Sequence, residues 1–204
     1  MNEQTAPGTA ENSAWAEFNT PLQVTQLKAF CSDVERLFRI NPYLEFKRWQ
    51  NTAENQFHVS GRNTSQAEPF DFDFDMTVDD IGQGVRVTYK NSLKLTTTFK
   101  VEAAEQGSKL TIIDEYADIS AEEAVARANE VDKSLVAWAN YLQRFILMWK
   151  KWSWLAPWRW YMRRLWQPMK PMSRRITYML IWITVFEIAL IALGVAIYLV
   201  EYAR

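Results

Sequence analysis

The sequence predicts an α+β chain: an antiparallel sheet covered by one long helix, followed by a helix that crosses a membrane. Three observations carry this reading. Phe70 to Val78 reads FDFDFDMTV, which puts Phe70, Phe72, Phe74, Met76 and Val78 on one face and Asp71, Asp73 and Asp75 on the other. Alternation sustained over so many residues marks a strand with one dry and one wet face. From Ser120 onward, Ala124, Ala128, Val131, Leu135, Trp138, Leu142, Phe145 and Trp149 recur at alternating steps of four and three, the stripe of an amphipathic helix. Finally, Ile176 to Val200 is a run of 25 residues with one charged side chain, Glu187. A spanning helix needs roughly 20 predominantly apolar residues.

Composition sharpens the division. The 204 residues carry a formal net charge of −1, but the charge is unevenly placed. Residues 1–132 hold 22 acids and 12 bases, whereas residues 133–186 hold ten bases and no acid. Seven of the ten Trp residues fall between Trp138 and Trp166, interleaved with those bases. Trp rings and cationic side chains are the groups that settle at a membrane interface, so a membrane with anionic lipids is the expected partner and nucleic acid is not. Cys31 is the one cysteine, which rules out an internal disulfide, and its place in a helical pattern reads as a small buried hydrophobe. The first residues, MNEQTAPGTAENSA, lack the charged-then-apolar pattern of a secretory signal. The apolar run at the far end gives a tail-anchored layout.

In order along the chain, residues 1–12 are small and polar and are expected to be disordered. Trp15 to Leu22 reads as a strand closed by Pro21. Val24 to Ile40 has helical spacing at Leu27, Phe30, Val34, Leu37 and Phe38, broken near Ser32-Asp33, and Asn41-Pro42 stops it. Strands follow at Leu44 to Trp49, Gln56 to Ser60 with Gly61 as a bend, Phe70 to Val78, and Val85 to Tyr89. Leu93 to Glu102 places Leu93, Leu95, Thr97, Phe99 and Val101 inward and Lys94, Thr96 and Lys100 outward. Lys109 to Ala117 is the last strand. Ser120 with Glu123 forms a capping box for the long helix, which over thirty residues spans ~45 Å at ~1.5 Å per residue. Pro157 and Pro168 bracket a short amphipathic helix in which Trp158, Tyr161, Met162 and Leu165 share a face and Arg159, Arg163 and Arg164 lie mostly opposite. It is expected to lie in the plane of the membrane interface.

This order of elements resembles the helix-grip fold of the START-like superfamily, also called SRPBCC or polyketide cyclase-like. The matching pieces are EFNTPL, VTQLKAFCSDVERLFRINP, the middle strands and the helix from Ser120, over roughly residues 14–148. The resemblance implies a curved antiparallel sheet around a long C-terminal helix, with an apolar cavity between them that takes lipids, sterols, polyketides or quinones. It divides the chain into a disordered stretch (1–12), a ligand-binding domain (13–148), a basic Trp-rich interfacial segment (149–175) and a transmembrane helix (176–200).

The expected cavity residues are Phe72, Phe74, Tyr89, Thr97, Phe99, Asp114, Tyr116, Val131, Leu135, Trp138 and Leu142. Of these, Tyr89, Thr97, Asp114 and Tyr116 are polar groups on inward faces, which need partners or a ligand headgroup. His58, the single histidine, reads as a solvent-facing strand residue, and no metal ligand set is spaced along the chain. Asp71, Asp73 and Asp75 read as a solvated face partly neutralised across strands. No phosphate loop and no nucleophilic triad is present in the pattern, and no catalytic residue or cofactor is assigned. Glu187, twelve residues into the span, is read as a contact to a partner helix in the membrane. Lys170, Arg174 and Arg175 precede the span and place the domain on the cytoplasmic side, as at a bacterial inner membrane. The expected function is a membrane-anchored module that binds or transfers a lipid-like ligand, of the isoprenoid quinone or phospholipid class. The alternatives are a cyclase- or hydratase-type enzyme in the same cavity, or a structural subunit of a membrane complex.

Overall fold

The structure is a computed structural model that describes residues 8–10, 13–117 and 132–203. Eight antiparallel strands form one sheet: β1 (Gly8–Ala10), β2 (Ser13–Thr20), β3 (Leu44–Ala53), β4 (Gln56–Asn63), β5 (Phe70–Asp80), β6 (Gly84–Lys90), β7 (Lys94–Ala104) and β8 (Gly107–Tyr116). Their order is β1-β2-β8-β7-β6-β5-β4-β3. The strands β3 to β8 therefore run as a meander, and the last of them returns to pair with β2. Two short helices, α1 (Val24–Cys31) and α2 (Val34–Ile40), fill the connection from β2 to the far edge at β3. Ser32 closes the first and Asp33 caps the second, accepting from the Arg36 backbone N–H at 3.2 Å.

The alternation read in the sequence is the burial pattern of the sheet. Phe70, Phe72, Phe74 and Met76 turn inward while Asp71, Asp73 and Asp75 are exposed. Arg62 and Lys47 flank Asp71 at 2.9 and 3.0 Å, and His58 sits 2.9 Å from Asp75 and 3.4 Å from Asp73. Helix α3 (Leu135–Trp152) closes the dry face with Leu135, Trp138, Ala139, Leu142, Phe145 and Ile146. Trp138 is fully buried, its ring 5.0 Å from Phe38 and 5.3 Å from Phe99. The chain has the helix-grip fold. The expected start of the long helix at Ser120, with its capping box and Ala124, Ala128 and Val131, lies outside the described residues.

Four sequence expectations are corrected. Residues 8–10 fall inside the stretch read as disordered, yet they form β1, because the β2 edge offers unpaired backbone groups to which Gly8 to Ala10 can bond. Gly61 is not a bend: β4 runs through it, and its bare Cα admits the Phe72 ring and the Glu45 carbonyl, which a Cβ would meet at 2.7 and 2.3 Å. The inward–outward order at the start of β7 is reversed. A bulge falls between Lys94 and Thr96 in the pairing with β8, and it turns Leu95 outward, at 45% exposed, and Lys94 inward. An extra residue in one strand flips the facing of what precedes it.

The fourth correction concerns the segment after α3. Helix α4 (Ala156–Tyr161) runs on into a π-helical turn at Met162–Trp166. Trp158 packs on Trp149 at 5.4 Å, Trp166 on Phe145 at 5.3 Å, and Met162 is buried in the domain core. Trp158, Tyr161 and Met162 thus face the domain rather than lipid, because α3 presents an aromatic stripe of matching apolarity. Leu165, Arg159, Arg163 and Arg164 stay exposed, as do Trp154 and Trp160. The first compact unit accordingly runs to Pro168, and the second holds α5 (Pro171–Tyr202). This helix of 32 residues is long and apolar enough to span a membrane. It starts earlier than Ile176 because Pro171 fits the first turn of a helix.

Candidate functional site

A pocket of about 310 Å³ lies between the concave side of the sheet and the helices. Its apolar wall is aromatic: Phe72 stacks on Phe74 at 5.2 Å, Phe74 meets the Tyr89 ring edge-on at 5.1 Å, and Phe38 and Trp138 close the helix side. Strand alternation supplies the rings on β5 and β6, and helical spacing supplies Phe38 and Trp138.

The floor is polar and built around Lys94. Its ammonium donates to Asp114 Oδ2 at 2.7 Å and to Asp132 Oδ2 at 3.1 Å. Asp114 is sealed from solvent, and its other oxygen accepts from Thr97 at 2.6 Å, whose hydroxyl in turn accepts from Tyr89 at 2.9 Å. Asp132 also accepts from Asn63 Nδ2 at 3.0 Å and the Ser134 backbone N–H at 2.9 Å. Asn41 donates to the Ser134 hydroxyl at 2.7 Å, tying the end of α2 to the start of α3. The cluster thus joins β4, β6, β7, β8 and the residues that lead into α3.

Burial and charge act against each other here. Burial pushes Lys94 down, but the Asp114 and Asp132 carboxylates outweigh it and hold the ammonium well above the ordinary lysine value. Burial pushes Asp132 up, and the Lys94 charge with hydrogen bonds from Ser134 and Asn63 brings it down to about 2. For Asp114 burial prevails over Lys94, and its carboxyl sits above the usual range. Burial raises the Tyr116 phenol to about 12.

Of the residues expected to line the cavity, Phe72, Phe74, Tyr89, Tyr116 and Trp138 do so. Thr97, Phe99, Asp114 and Leu142 are fully buried and Leu135 nearly so, and they stand behind the wall rather than on it. Val131 lies outside the described residues. Lys94, Asn63 and Asp132 were missed. Lys94 was hidden by the bulge, and Asp132 by its distance of 38 residues from the group it pairs with. The cue for Asp132 was its place two residues before Ser134, where a carboxylate can accept from the first free N–H groups of a helix.

No family model matches the chain, and no curated protein matches it in sequence. Among solved structures, a protein from Thermus thermophilus is similar with a TM-score of 0.51 and 11% identity, over 67% of this chain and 97% of that one. Lower similarities, with TM-scores of 0.39 and 0.36, are to a STAR-related lipid transfer protein fragment from Xanthomonas axonopodis and a polyketide-cyclase-like protein from Corynebacterium glutamicum. The first shares 12% identity over 69% of this chain and 97% of that one, the second 17% over 68% and 93%. At 11% identity the likeness to the Thermus thermophilus protein is one of fold.

Proposed function

We propose that the chain is a membrane-tethered module that holds one lipid-like molecule in the pocket between sheet and helices and exchanges it with the bilayer. The carrying observation is the pocket itself: an aromatic-walled space of about 310 Å³ with a polar cluster at its floor. Interiors otherwise pack to crystal-like density, and concave apolar sites with a few fixed polar groups are how small ligands are held. An isoprenoid quinone or a phospholipid is the class of ligand, and α5 keeps the domain at high local concentration beside the bilayer. The bases before the span favour a cytoplasmic domain, as at a bacterial inner membrane, and Glu187 is the contact for a helix partner. An enzymatic reading gains nothing specific. Lys94 is held protonated, Asp132 is too weak a base, and Asp114 is sealed behind the wall. Full-length protein purified in mild detergent is expected to carry one lipid-range mass per chain by native mass spectrometry. A chain that carries none, and whose melting temperature no extracted lipid raises, is not such a module.

The surface that meets the bilayer is the one left uncovered after α4 folds back: Trp154 at 73% exposed and Trp160 at 59%, among Lys150, Lys151, Arg159 and Arg164. A chain ending at Pro168 is expected to sediment with phosphatidylglycerol vesicles at low salt and to release as salt rises, since such attraction is screened. Replacing Trp154 and Trp160 by Ser is expected to weaken binding at least tenfold. Unchanged binding by that variant places the contact elsewhere.

A further inference from the structure

Resting on the ligand-binding reading above, we infer that the pocket selects an uncharged ligand, of one ring system or one chain, whose carbonyl or hydroxyl oxygen docks on Lys94 and Tyr116. Anionic lipids, free fatty acids included, are excluded. The first observation is the arrangement of donors. An ammonium has three protons. Two of those on Lys94 go to Asp114 and Asp132, which leaves the third for an acceptor in the pocket. Tyr116 lines the same end, its ring 5.9 Å from the Lys94 nitrogen, and its hydroxyl makes no hydrogen bond among the described residues. Lys94 and Tyr116 thus line the same pocket, and a ligand oxygen there has an ammonium and a phenol to accept from.

The second observation is charge. Lys94 is the one cation among the described residues lining the pocket, and Asp132 lines it too. The positive charge is already held between two carboxylates, at 2.7 and 3.1 Å. An anionic headgroup brought to Lys94 would be a third negative charge around one positive. A site built for an anion presents spare positive charge. This one spends its cation internally and offers neutral-strength donors instead.

The third observation is size. About 310 Å³ is at the small end of the ~300–1,000 Å³ range of ligand pockets. Phe72, Phe74, Tyr89 and Trp138 present ring faces and edges of the kind that pack against a planar ring at centroid distances of ~4.5–7 Å. A two-chain phospholipid does not suit this space.

The test titrates the full chain in non-ionic detergent with decyl-benzoquinone, oleate and phosphatidylglycerol, and identifies the lipid that co-purifies with it. The quinone is expected to bind at least tenfold tighter than either anion. Asp132→Asn removes one negative charge while keeping an oxygen for Ser134, and is expected to narrow the quinone-to-oleate ratio at least fivefold. Tyr116→Phe, which disturbs no hydrogen bond among the described residues, is expected to weaken the quinone at least fivefold. Oleate or phosphatidylglycerol binding as tightly as the quinone, or an anionic lipid co-purifying, overturns the selectivity and leaves the module reading standing. An unaltered quinone affinity in Tyr116→Phe overturns the docking point. If no probe binds and no lipid co-purifies, the module reading falls as well.

Discussion

Replacing Lys94 with Met is expected to destabilise the domain by about 3–5 kcal/mol, the cost of leaving a buried carboxylate without its partner. Asp114 has no exposed surface and Asp132 keeps only 12% of its side chain in solvent. With Lys94 intact, each carboxylate is held by a charge-assisted bond. With Met, the Thr97 hydroxyl alone answers Asp114, and both groups must take up a proton or carry an uncompensated charge. The size of the cost separates a truly buried pair from a surface bridge, for which ~0–1 kcal/mol would be lost. Replacing Asp114 as well, in a Lys94→Met/Asp114→Leu chain, is expected to restore part of the stability, because apolar groups of similar volume need no partner. Urea denaturation of the full chain in detergent, followed by circular dichroism, reads both variants.

The pH dependence has opposite signs in the two proteins. In the wild type, Asp132 sits at about 2, below the ~3.9 of an unfolded chain. Its contribution is complete above pH ~4 and is lost as pH falls through about 2. Lys94 is raised, so its contribution is complete below the unfolded ~10.4 and is lost only as pH rises through its folded value. Asp114, held above the usual range by burial, works the other way, and its contribution is lost as pH rises through its folded value. In Lys94→Met both carboxyls lose their cation, and burial is opposed only by the hydrogen bonds from Thr97, Ser134 and Asn63. The folded state then binds more protons than the unfolded, and the variant is expected to gain stability as pH falls from 7 to 5. A variant whose stability is flat over that range would show that water reaches both carboxylates.

What the sequence revealed and what it concealed differ in physical kind. FDFDFDMTV announced its own facing, because a strand with one wet and one dry side writes period two directly into residue polarity. The break at Ser32-Asp33 was legible for the same local reason: Asp33 caps the helix that follows. Lys94 was not, since a bulge shifts the facing without altering the alternation of residue types on either side. Strict alternation put Leu95 inside and Lys94 outside, and one unpaired residue exchanged them. The wheel of residues 157–167 correctly grouped Trp158, Tyr161 and Met162. It did not say whether that face meets lipid or protein, for both are apolar and periodicity carries no record of the partner. The polar floor of the pocket joins Asn63, Lys94, Asp114 and Asp132 from four separate segments, and only the folded chain brings them together.

Trp138→Ala is expected to cost about 3–5 kcal/mol, the range for deleting a large ring from a core. Trp138 has no exposed surface and meets Phe38 and Phe99 with near-perpendicular rings at 5.0 and 5.3 Å. Its indole N–H donates to the Leu37 carbonyl at 2.8 Å, one of the carbonyls in the last turn of α2 that have no partner within the helix. Truncation removes the ring, its aromatic contacts and that donor together. Trp138→Phe keeps most of the volume and loses the donor, so it is expected to cost only about 1–3 kcal/mol, the penalty of an unanswered buried acceptor. The gap between the two variants measures how firmly the wall is packed. Because Trp138 also lines the pocket, its removal joins the new void to the existing space. The Ala variant should therefore recover stability on binding a bulkier ring-bearing ligand than the wild type accepts, by mass action on the folded state. Should Trp138→Ala cost no more than Trp138→Phe, the surrounding rings have closed over the vacancy, and the helix side of the pocket is soft rather than preformed. A wall that collapses so cheaply could not enforce the size limit inferred for the ligand, and the choice of ligand would then rest on the Lys94 floor alone.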